Sequence, residues 1–345
     1  MTDQMIIHTR GDPLGTVRRL IFSIWVHANL EALLAPLNGS TNSLPDYGLI
    51  RNPDQLSQMN PFKPLMLENT ARYVPGILQD QPGIRLGLLL RPCEMRALIA
   101  LAKRDGFDLD KLITICIDCL GTYSSSEFHW RAERKGSSEA LTQETLQFAR
   151  QGGIMAYRYR SACQLCGEPD AREADVNIGV LGLPVRQYIL VSTQSETRRK
   201  NLGLEHLPNG PADIEALNQR SQLIARITER RNRTHDRVIQ GIADILPADI
   251  ETLVAQFADC GACQACLEAC PICVVAFPQR GADNRYHVED IKKWLGSCAG
   301  CGMCEQACPQ HQPLSAIFSH IHKELAGDPD RSSINSWGGY APVQC

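Results

Sequence analysis

The chain has 345 residues, of which 43% are hydrophobic and 21% charged, and its formal net charge is −3. This length exceeds that of a typical domain, so an ordinary soluble globular protein of two domains is expected. The small net charge gives no case for binding nucleic acid or an anionic membrane surface. Fifteen cysteines without a recognisable export signal indicate metal ligation in a reducing, cytoplasmic compartment.

The first long apolar stretch runs from Leu20 to Leu37 and contains His27, Asn29 and Glu31. These polar residues within an apolar segment predict an amphipathic helix instead of a membrane span. No transmembrane segment is expected elsewhere in the chain.

The next elements alternate between strand and helix patterns. The dense aliphatic run Ile84–Leu90 predicts a buried strand, Glu94–Arg104 has apolar residues at helical spacing, and Leu112–Ile117 predicts a second strand. Two further strand-like segments follow at Asp175–Leu181 and Arg186–Ser192. A strand, a helix and a strand in this order form a βαβ unit, so an α/β fold with a parallel sheet is expected.

The remaining sequence predicts the domain organisation. Residues 1–250 are expected to form the α/β domain, and the charged helical stretch Ala212–Ile245 leads to a second domain at residues 251–325. A helix at Leu314–Glu324 would close that domain. Residues 326–345 are rich in small and polar residues and predict an extended tail.

The second domain contains the same cysteine formula twice. The spacing C-x2-C-x2-C-x3-C-P is formed by Cys260, Cys263, Cys266 and Cys270 and again by Cys298, Cys301, Cys304 and Cys308. It is typical of bacterial-type two-cluster ferredoxins, in which the fourth cysteine of each run ligates the other 4Fe–4S cluster. One cluster is therefore assigned to Cys260, Cys263, Cys266 and Cys308, and the other to Cys298, Cys301, Cys304 and Cys270. Gly300 and Gly302 suit a backbone that lies close to a cluster at positive φ.

Zinc, disulfides and chance account less well for the doubled run. Structural zinc uses one or two C-x2-C pairs and leaves no role for two matching runs of four. Disulfides suit small exported domains, and chance does not produce the same formula twice. The pattern therefore favours two 4Fe–4S clusters and an electron-transfer function.

Five more cysteines lie in the predicted α/β domain. Cys93 and Cys119 each follow one of two neighbouring parallel strands, at the sheet edge where ligands gather. Cys163 and Cys166 form a C-x2-C pair that would complete four thiolates, whereas Cys116 lies inside the strand pattern as a core residue. A zinc knuckle or a redox pair beside two core thiols is the alternative, and spacing alone leaves both interpretations open.

At these residues the chain resembles the beta subunits of coenzyme F420-reducing hydrogenases and formate dehydrogenases, with formate dehydrogenase the closer likeness. The matching segments are RPCEMRALIALAKRDGFDLDKL, ICIDCLGTYS, SACQLCGEPDAREADVNIG and both cysteine runs through PLSAIFSHIH, in the family's order. They cover most of residues 85–325. The resemblance implies a third, proximal 4Fe–4S cluster in the α/β domain, bound here by Cys93, Cys119, Cys163 and Cys166.

The family also implies FAD, which reduces the deazaflavin coenzyme. This chain has Phe22–Trp25 near the family's glycine-rich turn, and Asn60–Pro64 at its Pro-Thr-x-x-Gly-Lys-like segment. Since glycine lets a backbone approach a cofactor closely, and no other nucleotide-binding motif is present, the sequence leaves FAD binding open. Asp175 and Gly179 are candidate cofactor contacts near the proximal cluster. Their alternative roles are a strand start and a tightly packed backbone.

These features predict an iron–sulfur electron-transfer subunit of a multi-subunit oxidoreductase. Its expected partners are a catalytic subunit of formate dehydrogenase or hydrogenase and further electron-transfer subunits. One alternative is a flavin-containing beta subunit that itself exchanges hydride with a deazaflavin or nicotinamide coenzyme. A second is a non-catalytic adaptor to a heterodisulfide-reductase-like module. Cys273 is either a spare thiol or a substitute for Cys270, and Cys345 is an exposed thiol.

Overall fold

The computed structural model describes residues 3–38, 47–152, 158–242, 252, 263–273, 281–282 and 297–326, the last five by their backbone only. Cys260, Cys345, residues 243–245 of the predicted connecting helix and the predicted tail beyond residue 326 lie outside the described residues. The chain divides into two compact units. The first contains the described residues of Met1–Arg160 and Pro169–Ile227, and the second contains those of Ser161–Glu168 and Thr228–Cys345.

The first unit is built on a sheet that has eight strands among the described residues. In chain order they are β1 (Asp3–His8), β2 (Ala32–Pro36), β3 (Tyr47–Ile50), β4 (Leu86–Leu90), β5 (Ile113–Ile117), β6 (Val176–Gly179), β7 (Tyr188–Thr193) and β8 (Asn209–Pro211). Across the sheet their order is β3-β2-β4-β5-β6-β7-β1-β8. Strands β2, β4, β5 and β6 are parallel, and the outer strands pair antiparallel. The predicted α/β fold is confirmed, with the parallel part confined to the middle of a mixed sheet.

The described residues of the two units also form helices. They are α1 (Pro13–His27), α2 (Val74–Asp80), α3 (Pro92–Asp105), α4 (Ser125–Lys135), α5 (Ser138–Gln147), α6 (Ser161–Leu165), α7 (Glu196–Asn201), α8 (Ile214–Ile242), α9 (Ala265–Ala269), α10 (Met303–Ala307) and α11 (Leu314–Ala326). Every residue of β2 and β4 is buried, as expected for strands covered on both faces. In the part of the chain that the structure describes, no helix is both long and apolar enough to span a bilayer.

The predicted βαβ unit consists of β4, α3 and β5, and its two strands pair in parallel. Helix α3 begins at Pro92, whose fixed φ and missing N–H suit the first helical position. It ends where Gly106 adopts a left-handed conformation with φ 73°. The predicted helices near residues 212–245 and 314–324 correspond to α8 and α11 within their described residues.

The predicted helix over Leu20–Leu37 is wrong in its second half. The helix is α1, which ends at His27, and the chain then forms β2. Asn29 adopts a left-handed conformation with φ 50°, and the N–H of Leu30 donates to the carbonyl of Trp25 at 2.9 Å. Asparagine tolerates this conformation better than most residues, so Asn29 ends the helix.

Candidate functional site

Two predicted ligands of the proximal cluster follow neighbouring parallel strands of the first unit. Leu90 of β4 pairs with Cys116 of β5. Cys93 and Cys119 each lie three residues beyond this pair, and both are partly exposed. The structure therefore places both thiols at the carboxyl edge of the parallel strands, as the sequence predicts.

A buried hydrogen-bond network holds the backbone at Cys93. Cys93 lies in the first turn of α3, where the helix dipole favours a thiolate. The neighbouring Glu94 is fully buried, and its carboxylate accepts from the N–H of Arg91 at 2.8 Å and from the hydroxyl of Thr70. The Arg91 guanidinium donates to the carbonyl of Lys63 at 3.1 Å. This network restricts the position of the Cys93 backbone.

A buried ion pair lies beside Cys119. The carboxylate of Asp118 is fully buried and pairs with Arg220 of α8. It also accepts from the N–H groups of Val180 at 2.7 Å and Leu181 at 2.8 Å. Burial alone lowers the pKa of Arg220, but the charge and hydrogen bonds of Asp118 outweigh it, so the pKa is raised. The pair ties the ends of β5 and β6 to α8.

Sequence patterns alone did not identify Asp118 or Arg220. The sequence signal that could have identified Asp118 is its position at the end of an apolar strand. A carboxylate buried there requires a partner of opposite charge or hydrogen-bond donors. The partner is 102 residues away in the chain and has no local signature.

Asp175 and Gly179 have partners within the first unit. The Asp175 carboxylate accepts from the N–H of Thr114 at 2.8 Å and from Arg198 at 2.6 Å. A Cβ added to Gly179 would lie 3.0 Å from the central guanidinium carbon of Arg220. These contacts correspond to the structural alternatives for both residues, and their contact with a cofactor stays a prediction.

The Gly179→Ala variant is expected to have a free energy of unfolding about 1–3 kcal/mol below that of the wild type. The added methyl group would displace Arg220 from Asp118, and it would also press on Leu190 at 3.2 Å. Urea denaturation measures this change. Gly76→Ala is a matched control, because a Cβ at Gly76 in α2 meets nothing within 4 Å. Equal unfolding midpoints for the two variants would contradict the packing role.

The two segments that replace family motifs for FAD are part of the packed first unit. Phe22–Trp25 lies inside α1, so its backbone is helical where the family has a glycine-rich turn. Asn60 is fully buried, and its amide donates to the hydroxyl of Thr142 at 2.9 Å. The Lys63 ammonium donates to the carbonyl of Leu37 at 3.2 Å. These polar groups have protein partners, and a flavin-containing subunit stays an alternative interpretation.

Cys163 and Cys166 belong to the second unit. Their segment, Ser161–Glu168, consists of α6 and the turn after it. The buried Arg231 donates to the carbonyl of Cys166 at 2.9 Å, and the hydroxyl of Thr228 donates to the carbonyl of Gly167 at 2.9 Å. The sequence pattern predicted this pair in the α/β domain, and the structure groups it with the cysteine-rich part of the chain.

The residues of the first unit that flank this segment bond to the loop after β5. The N–H of Arg160 donates to the carbonyl of Thr122 at 2.9 Å, and the N–H of Cys119 donates to the carbonyl of Pro169 at 2.7 Å. Cys119 is thus bonded to the residue three positions after Cys166.

The two cysteine runs share one backbone conformation in the second unit. Helices α9 and α10 each have five residues, and each follows a left-handed residue, Gln264 with φ 50° or Gly302 with φ 69°. Each helix ends at a cysteine with an extended backbone, Cys270 or Cys308. The N–H of this cysteine donates to the carbonyl of the residue three positions earlier, at 3.2 Å in both runs. The sequence repeat is therefore also a structural repeat.

Cys304 lies among thiols that come from both runs. Burial raises the pKa of Cys304 well above its ordinary value, and four neighbouring thiols raise it further: Cys298, Cys301, Cys270 and Cys266. Cys298, Cys301 and Cys270 are, with Cys304, the predicted ligands of one cluster. The N–H of Gly300 also donates to the Cys298 sulfur at 3.4 Å. Closely packed thiolates repel one another, so this donor set fits a cationic iron–sulfur core.

The described part of the chain contains no group of three Cys, His, Asp or Glu side chains arranged to share one metal ion. A 4Fe–4S cluster differs in that its four thiolates bind four separate irons. Cys263 is exposed, and the other ligands assigned with it are only partly described because Cys260 lies outside the described residues. Cys116 is fully buried, and burial raises the pKa of its thiol. Cys273 is also fully buried.

Comparisons with known proteins relate the chain to oxidoreductase subunits, although no family model matches it. F420-dependent formate dehydrogenase 1 subunit beta of Methanococcus maripaludis is 25% identical, and the match covers 57% of each protein. The chain therefore spans little more than half of that relative. Ketoisovalerate oxidoreductase subunit VorC of Methanothermobacter marburgensis is 33% identical over 72 residues, which are 21% of this chain and 85% of the relative.

A solved structure of the F420-reducing [NiFe] hydrogenase complex from Methanosarcina barkeri contains a chain that superposes with a TM-score of 0.49. The two are 10% identical, and the superposition covers 68% of this chain and 90% of that chain. The similarity to a curated formate dehydrogenase beta subunit supports the resemblance to the beta subunits of coenzyme F420-reducing hydrogenases and formate dehydrogenases that the cysteine motifs indicate.

Proposed function

We propose that this chain is the iron–sulfur electron-transfer subunit of a multi-subunit oxidoreductase, with a catalytic subunit of formate dehydrogenase or hydrogenase as its partner. The observation that carries the proposal is the structural repeat of the two cysteine runs, whose short helices α9 and α10 pack on each other and bring thiols of both runs near Cys304. Curated relatives that are themselves oxidoreductase subunits support it. When bound, 4Fe–4S clusters accept and donate single electrons at potentials between about −700 and +450 mV.

Three sets of residues would hold the clusters. The first two are the runs assigned above: Cys298, Cys301, Cys304 with Cys270, and Cys260, Cys263, Cys266 with Cys308. The proximal set is Cys93, Cys119, Cys163 and Cys166. Cys93 and Cys119 each follow the paired residues Leu90 and Cys116 by three positions, and this placement and the bond from Cys119 to Pro169 support the proximal set.

The surrounding residues would exclude water and adjust the potential. Around the second run, Ala299 and Met303 are buried next to the thiols, and Ile272 is buried near Cys270. The N–H of Gly300 donates to the Cys298 sulfur, and such bonds stabilise negative charge on a ligand. Burial and these bonds are the means by which this chain would set the potential of a relay.

Replacing Cys163 with alanine is expected to reduce the iron content from about twelve to about eight per chain, following the four-iron stoichiometry of each cluster. Iron and protein assays on anaerobically purified samples measure this loss. Cys116→Ala is the control, because Cys116 is a fully buried thiol inside β5. This variant is expected to keep the iron content of the wild type.

Two results would contradict the proposal. Unchanged iron in Cys163→Ala would reject the third cluster. A wild-type protein that contains zinc or cystines in place of iron would reject electron transfer altogether.

A further inference from the structure

The two cysteine runs differ at the residue after the second cysteine of each run. This residue is Gln264 in the first run and Gly302 in the second, and both adopt left-handed conformations with φ 50° and 69°. Gln264 shows that the conformation itself does not require glycine. At Gly302, however, an added Cβ would overlap the Cβ of Ala162. The approach of Ala162 is therefore what excludes a side chain from the second run.

The runs also differ at the residue after the third cysteine. Leu267 in the first run is buried, whereas the second run has Glu305 at the same position. The Glu305 carboxylate accepts from the hydroxyl of Ser161 and, at 2.7 Å, from the N–H of Ser315. Glu305 thus ties the beginning of α6 to the beginning of α11.

Both differences occur where the second run contacts the segment Ser161–Glu168. Ala162 immediately precedes Cys163, and Gly302 immediately follows Cys301. The contact therefore lies between two segments that carry proposed ligands. Helix α6 also packs on α11 within this unit.

We propose that the segment Ser161–Glu168 docks on the second cysteine run, so that electrons pass directly between the centre bound by Cys163 and Cys166 and the centre bound by Cys301 and Cys304. This inference rests on the proposed function. Each transfer moves one electron, so that one centre is oxidised and the other reduced, and the catalytic partner supplies or removes the electron. No bond or proton is exchanged.

The order of the relay follows from these contacts, because electron tunnelling weakens steeply with distance. Ala162 lies against Gly302 of the second run, and helix α9 of the first run packs on helix α10 of the second run. The second-run centre, which includes Cys301 and Cys304, therefore lies between the other two in the order of electron transfer. Electrons would pass from the proximal centre, which includes Cys163 and Cys166, through the second-run centre to the first-run centre, which includes Cys263 and Cys266. The reverse direction follows the same order.

Electron paramagnetic resonance of the full chain reduced with dithionite tests this order, because neighbouring reduced clusters broaden each other's signals. Cys263→Ala removes the first-run centre, and the two remaining centres are expected to retain the broadening. Cys301→Ala removes the second-run centre, and two narrow, independent signals are expected. Narrow signals in Cys263→Ala, with broadening retained in Cys301→Ala, would overturn the inference.

A second pair of variants leaves every cysteine in place and guards against loss of folding. Glu305→Ala is expected to keep the full iron content and to lose much of the broadening between the proximal and second-run centres. Glu268→Ala is the control, because Glu268 is an exposed glutamate one position further along the first run. Equal broadening in these two variants would overturn the inference. Full iron in Cys163→Ala would instead contradict the proposed function.

Discussion

Replacing Asp118 with alanine is expected to lower the free energy of unfolding by about 3–5 kcal/mol, because it leaves the charge of Arg220 buried without its partner. Arg220 is buried, and its guanidinium donates to Asp118 through two nitrogens. The variant also removes the acceptor of the Val180 and Leu181 N–H groups, which lie at the end of β6. Urea denaturation followed by tryptophan fluorescence measures the loss.

A surface charge provides the control for this variant. Glu196 lies in the same unit and pairs with Lys200 at 2.8 Å, with both side chains largely exposed. Because exposed ion pairs contribute little to stability, the free energy of unfolding of Glu196→Ala is expected to stay near that of the wild type. Replacing Asp118 by leucine together with Arg220 by methionine should lower the free energy of unfolding less than Asp118→Ala alone, because no buried charge is left without a partner. A stability for Asp118→Ala equal to that of Glu196→Ala would show that the pair is not a structural anchor.

Replacing Cys270 with alanine is expected to remove about four irons per chain, whereas Cys273→Ala should keep them, given four irons per cluster. Cys270 ends the first run and is one of the thiols that raise the pKa of Cys304. This position fits the ferredoxin rule that the fourth cysteine ligates the cluster of the other run. Cys273 is fully buried next to Ile272, as an apolar core thiol would be.

Iron assays and the visible absorbance of both variants measure this difference, and each variant is the matched control for the other. Loss of iron in Cys273→Ala with full iron in Cys270→Ala would make Cys273 the ligand. Such a result would establish the alternative in which Cys273 replaces Cys270.

Much of the α/β unit could be predicted from local sequence patterns. The apolar runs that form β4 and β5, and the helix between them, follow from residue periodicity and from Pro92 and Gly106 at the helix ends. The error at Leu20–Leu37 arose because apolar residues are common to helices and buried strands. The decisive signal was Asn29, a single residue with a tolerated left-handed conformation.

The sequence by itself determined the spacing of the cysteine runs and so predicted 4Fe–4S clusters, because ligand spacing is a local property of the chain. The tertiary structure decided which distant residues lie beside the proposed ligands. Asp118 and Arg220 are separated by 102 residues, and Ser161 and Glu305 by 144. Only the folded chain also grouped Cys163 and Cys166 with the second unit. Contacts over such separations depend on how whole elements pack, and no pattern within a single segment encodes them.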